Sequence, residues 1–231
     1  MKKIILILVL FVITMNVSAQ YRRSSNGEFR LGITTGLNFS NMNIKEDGKN
    51  TDNNYSAKTG FKIGAIAEYA FNDYFALSPE LIFTQRGFKE KVSESYYGMT
   101  MSGEAKMNIN YFQLPVHAVV MYPINKNLKI KGIVGPYFGY AFSGKIKSEA
   151  TIKGSGMSTS ADSEEKLKFG SGEDEVNPFD IGLTIGAGIE FSSFFFRLQY
   201  DFGFGNLSND DYSTVKNRNF GLSIGYLFSF N

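Results

Sequence analysis

Residues 111–122, YFQLPVHAVVMY, carry an apolar side chain at every second position, from Phe112 through Leu114, Val116, Ala118 and Val120 to Tyr122. Between them stand Gln113, Pro115, His117, Val119 and Met121, a mixed set, and a period of two with unlike faces predicts a β-strand. Seven further stretches repeat the pattern: FRLGITTGLNF (29–39), FKIGAIAEYAF (61–71), YFALSPELIFTQ (74–85), LKIKGIVGPYFGYAFSG (128–144), FDIGLTIGAGIEF (179–191), FFFRLQYDFGF (194–204) and RNFGLSIGYLFSFN (218–231). No helical period persists along the chain. The alternation is cleanest over 179–191, where Ile181, Leu183, Ile185 and Ile189 oppose Asp180, Gly182, Thr184, Gly186 and Glu190.

The connections between these stretches alternate in length. Those at Asn72–Asp73, Pro123–Asn127 and Ser192–Ser193 are short, whereas those near 44–57, 90–104, 148–177 and 206–217 are long and polar. Even-numbered strands of about ten residues, with short turns at one end and long loops at the other, describe an outer-membrane barrel. The fold expected is all-β: an eight-stranded antiparallel transmembrane β-barrel with short periplasmic turns and long extracellular loops. A ten-stranded form stays open, because the long loops have room for a further hairpin.

The first twenty residues, MKKIILILVLFVITMNVSAQ, read as an export signal: two lysines, an apolar run from Ile4 to Ile13, then small residues ahead of a cut at Gln20. That run is too short for a spanning helix. The expected division is a signal peptide over 1–19, a short periplasmic segment over 20–28 and the barrel over 29–231. The formal net charge of +2 is accounted for by Lys2 and Lys3, so the exported chain is formally neutral and offers no basic face for nucleic acid. The absence of cysteine excludes disulfides, thiolate metal sites and cysteine nucleophiles. The 22 Phe and 13 Tyr beside 24 Gly suit β-structure better than helices.

Two placements of the apolar face compete: toward lipid, or around a ligand inside a soluble barrel of the lipocalin kind. The complementary face decides between them. It carries Glu68, Glu80, Gln113, His117, Glu190, Arg197, Gln199 and Asp201, and it is crowded with glycine at 64, 135, 139, 182, 186, 188, 203, 205, 221 and 225. Glycine suits a narrow eight-strand lumen, and an inward face of Leu, Ile and Phe would overfill it. Aromatics gather beside the short turns, as an interfacial girdle requires. The apolar face is therefore assigned to lipid and the mixed face to the lumen.

The motifs YFQLPV (111–116), GIVGPYFGY (132–140), FDIGLTIGAGIEF (179–191) and RLQYDFGFGNLS (197–208), in this order, resemble landmarks of the PorT-like small outer-membrane barrels of Bacteroidetes-type Gram-negative bacteria. The resemblance covers the chain from about Phe29 to Asn231. It implies an integral outer-membrane barrel and little about activity. The family's name-giving member serves protein secretion, but no residue here carries that role over.

Candidate chemistry centres on the lumen set Glu68, Glu80, His117, Glu190, Arg197 and Asp201. It reads either as the lining of an ion path or as a structural plug of ion pairs, and eight strands favour the plug. His117, the single histidine, invites a lipid-modifying Ser-His-acid reading, but it lies on the lumen side toward the periplasmic turn with no fixed partner evident. Pro79, Pro115 and Pro136 predict bulges or bends in three neighbouring strands. The acidic clusters at 162–165 and 173–175 admit calcium without matching an EF-hand, and the 148–177 segment is expected to be a solvated, mobile loop. No metal or other cofactor is expected. The leading expectation is a monomeric, non-catalytic barrel whose partners are outer-membrane lipid and a protein or ligand at the extracellular loops. A narrow pore is the alternative, and a lipid-modifying enzyme a third reading.

Overall fold

A computed structural model describes residues 27–46, 49–50, 55–96, 99–154, 157–172, 175–210 and 212–230. The expected signal peptide and most of the 20–28 segment lie outside the described residues. The elements are β1 (Glu28–Glu46), β2 (Lys49–Asn50), β3 (Tyr55–Ala70), β4 (Phe75–Tyr96), β5 (Met99–Pro123), β6 (Leu128–Gly154), β7 (Met157–Lys166), β8 (Phe179–Phe191), β9 (Phe194–Gly203) and β10 (Ser213–Ser229). All pairings between these strands are antiparallel. Eight strands close a ring in the order β10-β9-β8-β6-β5-β4-β3-β1, sealed by β1 against β10 from Arg30↔Ser229 to Glu46↔Ser213. Closure removes every sheet edge at membrane depth, which lipid demands because it cannot hydrogen-bond an exposed backbone.

The faces follow the sequence period. In β8 every large apolar residue points out, and Asp180, Thr184 and Glu190 are buried inside. Phe112, Leu114 and Val120 of β5 are exposed on the outer wall, while Gln113 and His117 are buried. Outward aromatics stack across strands: Phe83, Phe112 and Phe142 form one cluster, with Phe112 and Phe142 at a centroid spacing of 4.8 Å. Tyr69, Phe71, Tyr74, Phe75, Tyr122, Phe191, Phe194 and Phe228 surround the periplasmic rim.

Three strands are far longer than the sequence pattern implied. β4, β5 and β6 have 22, 25 and 27 residues, whereas about ten cross a bilayer. Their outer halves, joined by β7, form a four-stranded sheet beyond the membrane. The segments expected as long loops near 90–104 and 148–177 are therefore strand over most of their described residues, the second as far as Lys166. Apolar–polar alternation marks a strand only while one face is in lipid, and it fades where both faces meet water. β7 lies off the ring, which stays at eight strands.

The expected bulges at the prolines are corrected. The register is unchanged across Pro79 and Pro115 between β4 and β5 and across Pro115 and Pro136 between β5 and β6, where pairs merely lapse beside the prolines, and the β6–β8 ladder runs unbroken through Pro136↔Leu183. The register shifts occur nearer the outer mouth. One falls where Asn110↔Ser143 gives way to Tyr111↔Ala141, making Phe142 an extra residue in β6. The other lies between Ala57 and Lys62 of β3, opposite Gly87. Gly87 has φ +153°, and a Cβ there would stand 2.0 Å from the Met107 carbonyl oxygen, so no other residue fits this close approach.

Candidate functional site

The lumen is filled by three tiers of charge between two apolar caps. On the periplasmic side, Arg30 of β1 binds Glu68 of β3 and reaches Glu190 of β8 at 2.7 Å. Lys131 of β6 binds Glu68 at 2.8 Å and also contacts Glu190. Two cations and two carboxylates thus form a closed quartet in which each group touches both opposites.

The middle tier joins opposite walls. Glu80 of β4 receives both Arg197 guanidinium arms from β9, at 2.6 and 2.9 Å, and lies 3.1 Å from His117 Nδ1. β4 and β9 stand four places apart in the eight-membered ring, so this bidentate pair crosses the whole bore. Arg197 also lies over the Phe195 ring, at 5.6 Å from its centroid. Gly225 makes room for that ring: a Cβ on it would come within 2.4 Å of Phe195.

The outer tier centres on Arg86, which donates to Asp201 at 2.6 Å, Gln113 at 2.9 Å and Asp180 at 3.2 Å. Asp201 accepts further bonds from Thr184, Gln199 and Asn219, and Asp180 from Tyr137 and Asn217. Tyr137 packs against Gly182, where an added Cβ would meet its ring at 2.6 Å. The inward glycines therefore create space for aromatic side chains that close the bore.

Each end is sealed by apolar side chains. Ala70, Ala76, Val119, Met121 and Ile133 form the periplasmic cluster. Met42, Ile109, Tyr111, Ala141 and Leu207 form the outer one, with Leu167, Phe169 and Val176 packed over it. Residues 167–172 and 175–177 fold back into the mouth, held by Val176 N to Lys168 O at 2.9 Å and Asn177 N to Leu207 O at 2.9 Å. Asn209 Nδ2 ties them further, donating to the carbonyls of Gly170, Gly172 and Glu175. The expectation of a mobile loop over 148–177 is thus replaced by strand over β6 and β7 and by this inward fold.

The six residues singled out from the sequence all point into the lumen, but they occupy different tiers. Glu68 and Glu190 share the first, Glu80, His117 and Arg197 the second, and Asp201 belongs to the third. His117 has a partner after all, in Glu80 across the β4–β5 ladder. Ser78 stands directly opposite His117, yet His117 Nε2 has no hydrogen-bond partner among the described residues. The relay a serine nucleophile requires is therefore not formed. Sequence reasoning missed Arg30, Arg86, Lys131 and Asp180 as partners. Parity alone pointed Arg30, Lys131 and Asp180 inward, whereas Arg86 fell beyond the stretch ended at Gln85. Among the described residues, no group of His, Asp and Glu side chains has the arrangement of a metal site.

Outside the membrane, the sheet of β4–β7 has two unlike faces. The face continuous with the lumen carries Phe88, Val92, Met101, Ala105, Met107, Ala150, Ile152 and Ala161, with the carboxylates Glu90 and Glu165 among them. Val92, Met101 and Ile152 are 48%, 58% and 45% exposed. β7 pairs only with β6, leaving its other edge without a partner strand among the described residues. The opposite face is charged, with Lys147 2.8 Å from Glu164 and Lys106 3.2 Å from Glu104. These contacts hold the Glu104 and Glu164 carboxyls below, and the Lys106 and Lys147 ammonium groups above, their ordinary values.

A family model described as outer membrane protein beta-barrel domain matches residues 18–209. The chain belongs to this family. Membership places it in the outer membrane of Gram-negative bacteria. Among solved structures it is similar to Ail, the attachment invasion locus protein of Yersinia pestis, at 22% identity and TM-score 0.37, over 87% of this chain and 99% of that one. It is also similar to Neisserial surface protein A, at 15% identity and TM-score 0.39 over 87% and 97%. A third is OprG of Pseudomonas aeruginosa, at 13% and 0.29 over 90% and 98%. No curated protein sequence matches.

Proposed function

We propose that this outer-membrane barrel is a closed, non-catalytic, monomeric anchor that presents its β4–β7 sheet at the cell surface as a binding platform for a protein or other ligand. The observation that carries this reading is that charge pairs span the bore from wall to wall. Glu80–Arg197 and Arg86–Asp201 each join strands on opposite sides. Such pairs fill the space an ion or solute path would need, and the apolar clusters above and below them exclude water further. The tiers act as structural plugs: within each tier the cations meet carboxylates, which offsets the cost of taking them out of water, while Lys62, buried in the same bore, has no hydrogen-bond partner for its Nζ among the described residues. A narrow pore is disfavoured for the same reason.

The platform reading rests on the sheet's inner face, where apolar side chains remain exposed outside the membrane beside an unpaired edge. Exposed apolar surface of this kind marks interaction sites, and an open edge accepts an extended strand. The export signal over 1–19 and the PorT-like affiliation, carried by the motifs over 111–116, 132–140, 179–191 and 197–208, complete the proposal. Site-specific photo-crosslinking on living cells tests it. A crosslinker at Met101 or Ile152, on the inner face, is expected to trap a discrete partner. One at Ser93, on the outer face, is not. No adduct at either inner position, or equal adducts at all three, refutes the platform.

A further inference from the structure

The outward face of the extracellular sheet sorts its charges by distance along the strands from the barrel. Residues directly opposite in neighbouring strands share a face, so the registers define rows across β4, β5, β6 and β7. Nearest the barrel, Lys145 stands opposite Lys166. In the next row Lys89 faces Lys106, Lys106 faces Lys147, and Lys147 faces Glu164. The carboxylates come one step farther out, where Lys91, Glu104, Glu149 and Asp162 align. Beyond them the row is Ser93, Ser102, Thr151 and Ser160, without charge. A merely solvated surface has no reason to segregate its signs in this way.

The arrangement also carries a cost. Like charges directly opposite destabilise a ladder, and Lys89↔Lys106, Lys106↔Lys147 and Lys145↔Lys166 are three such pairs in adjoining rows. The available carboxylates answer only part of it. Lys106 has Glu104 and Glu149, and Glu164 is shared between Lys145 and Lys147. Among the described residues, Lys89 and Lys166 make no ion pair. The face is continuous with the lipid-facing wall through Phe83, Phe112 and Phe142. At about 3.3 Å per residue and a tilt of about 40°, Lys145 stands roughly 8 Å above that aromatic cluster and Lys89 roughly 15 Å. Those heights span the headgroup layer of a lipid bearing a saccharide head.

We propose that the lysine rows of this face bind the phosphate groups of glycolipids in the outer leaflet. Cations near a membrane surface are drawn to anionic headgroups, and phosphates seated between the rows offset the lysine–lysine repulsion that the protein's own carboxylates leave. The inference is independent of the platform reading, which concerns the inner face.

Lysine footprinting of the folded, full-length exported chain in lipid nanodiscs tests it. The rate of acylation at each lysine is measured by mass spectrometry in phosphatidylcholine alone, with bisphosphorylated lipid A, and with lipid A stripped of its phosphates. Bisphosphorylated lipid A is expected to slow acylation of Lys89, Lys145 and Lys147 at least fivefold, leaving Lys126 at a periplasmic turn and Lys153 beyond the charged rows unchanged. The double variant Lys89→Gln, Lys147→Gln, remote from the lumen, is expected to keep the heat-modifiable barrel and lose the protection at Lys145. Equal protection by the dephosphorylated lipid, or protection that survives in the variant, overturns the proposal. Protection by 10 mM inorganic phosphate in phosphatidylcholine discs shows a free-anion site, and protection by a soluble sulfated polysaccharide alone shows a soluble polyanion; either result overturns the lipid assignment.

Discussion

Replacing Arg197 by Met removes one half of a pair that crosses the bore. Glu80 then keeps only the His117 Nδ1 contact at 3.1 Å in place of two guanidinium bonds at 2.6 and 2.9 Å. Both side chains are buried, Glu80 at 2% and Arg197 at 7% exposure, so water does not take over the lost bonds. Breaking a buried pair from one side costs about 3–5 kcal/mol, whereas replacing both partners with neutral groups is often close to neutral. At a denaturant slope of about 2 kcal/mol per molar urea, the single variant lowers the unfolding midpoint by roughly 1.5–2.5 M. Arg197→Met combined with Glu80→Gln recovers most of that loss, since the amide still reaches His117 and no charge is stranded. The assay is equilibrium unfolding from lipid vesicles, read by the mobility difference between unboiled and boiled protein. A single variant within about 0.5 kcal/mol of the parent, or a double variant no better than the single, refutes the plug.

Ile185, 51% exposed on the outer wall of β8, tests which face meets lipid. Ile185→Arg is expected to cost about 2–4 kcal/mol in vesicle-based unfolding, and a neutral result would favour a water-facing wall. Gly182→Val drives a side chain into the Tyr137 ring and is expected to destabilise by about 1–3 kcal/mol, while Gly132→Ala, with nothing within 4 Å of the new Cβ, stays near the parent in the same assay. Ile109→Ala, at a fully buried position of the outer cap, is expected to cost about 2–5 kcal/mol, and a smaller loss would show that the mouth is not packed. The sheet responds to acid. Glu104 and Glu164 titrate below the ordinary carboxylate value in the folded state, so their ion pairs contribute fully above about pH 4.3 and are lost as pH falls through the lower folded value. Amide protection in 144–154, taken relative to the intrinsic exchange rate at each pH, should then fall with acid, while protection in 179–191 holds.

The barrel was legible because lipid imposes a strict alternation: any ten-residue segment that crosses must be apolar at every second position, and β8 shows this without interruption. The sheet outside was not legible. KEKVSES carries charge on both faces, MSGEAKMN opposes its two charges with small residues and methionines rather than a continuous apolar run, and only pairing reveals that Val92, Gly103, Ala150 and Ala161 align on one side. Parity found the inward carboxylates, but it does not say which cation across the bore each one meets. The link from Glu80 to Arg197 depends on the ring order of the strands, and Arg86 was lost with the end of its strand. The prolines misled for a related reason: a missing donor is tolerated locally, whereas an extra residue such as Phe142 leaves no mark in composition.

Single-channel recording of the purified, folded protein in planar bilayers tests the central claim most directly. A bore crossed by Glu80–Arg197 and Arg86–Asp201 and capped at both ends predicts a silent membrane, with no unitary current steps at up to 100 mV in 1 M KCl. Reproducible steps of one fixed size, scaling with protein inserted, would contradict it and show that ions pass where the structure places paired charge.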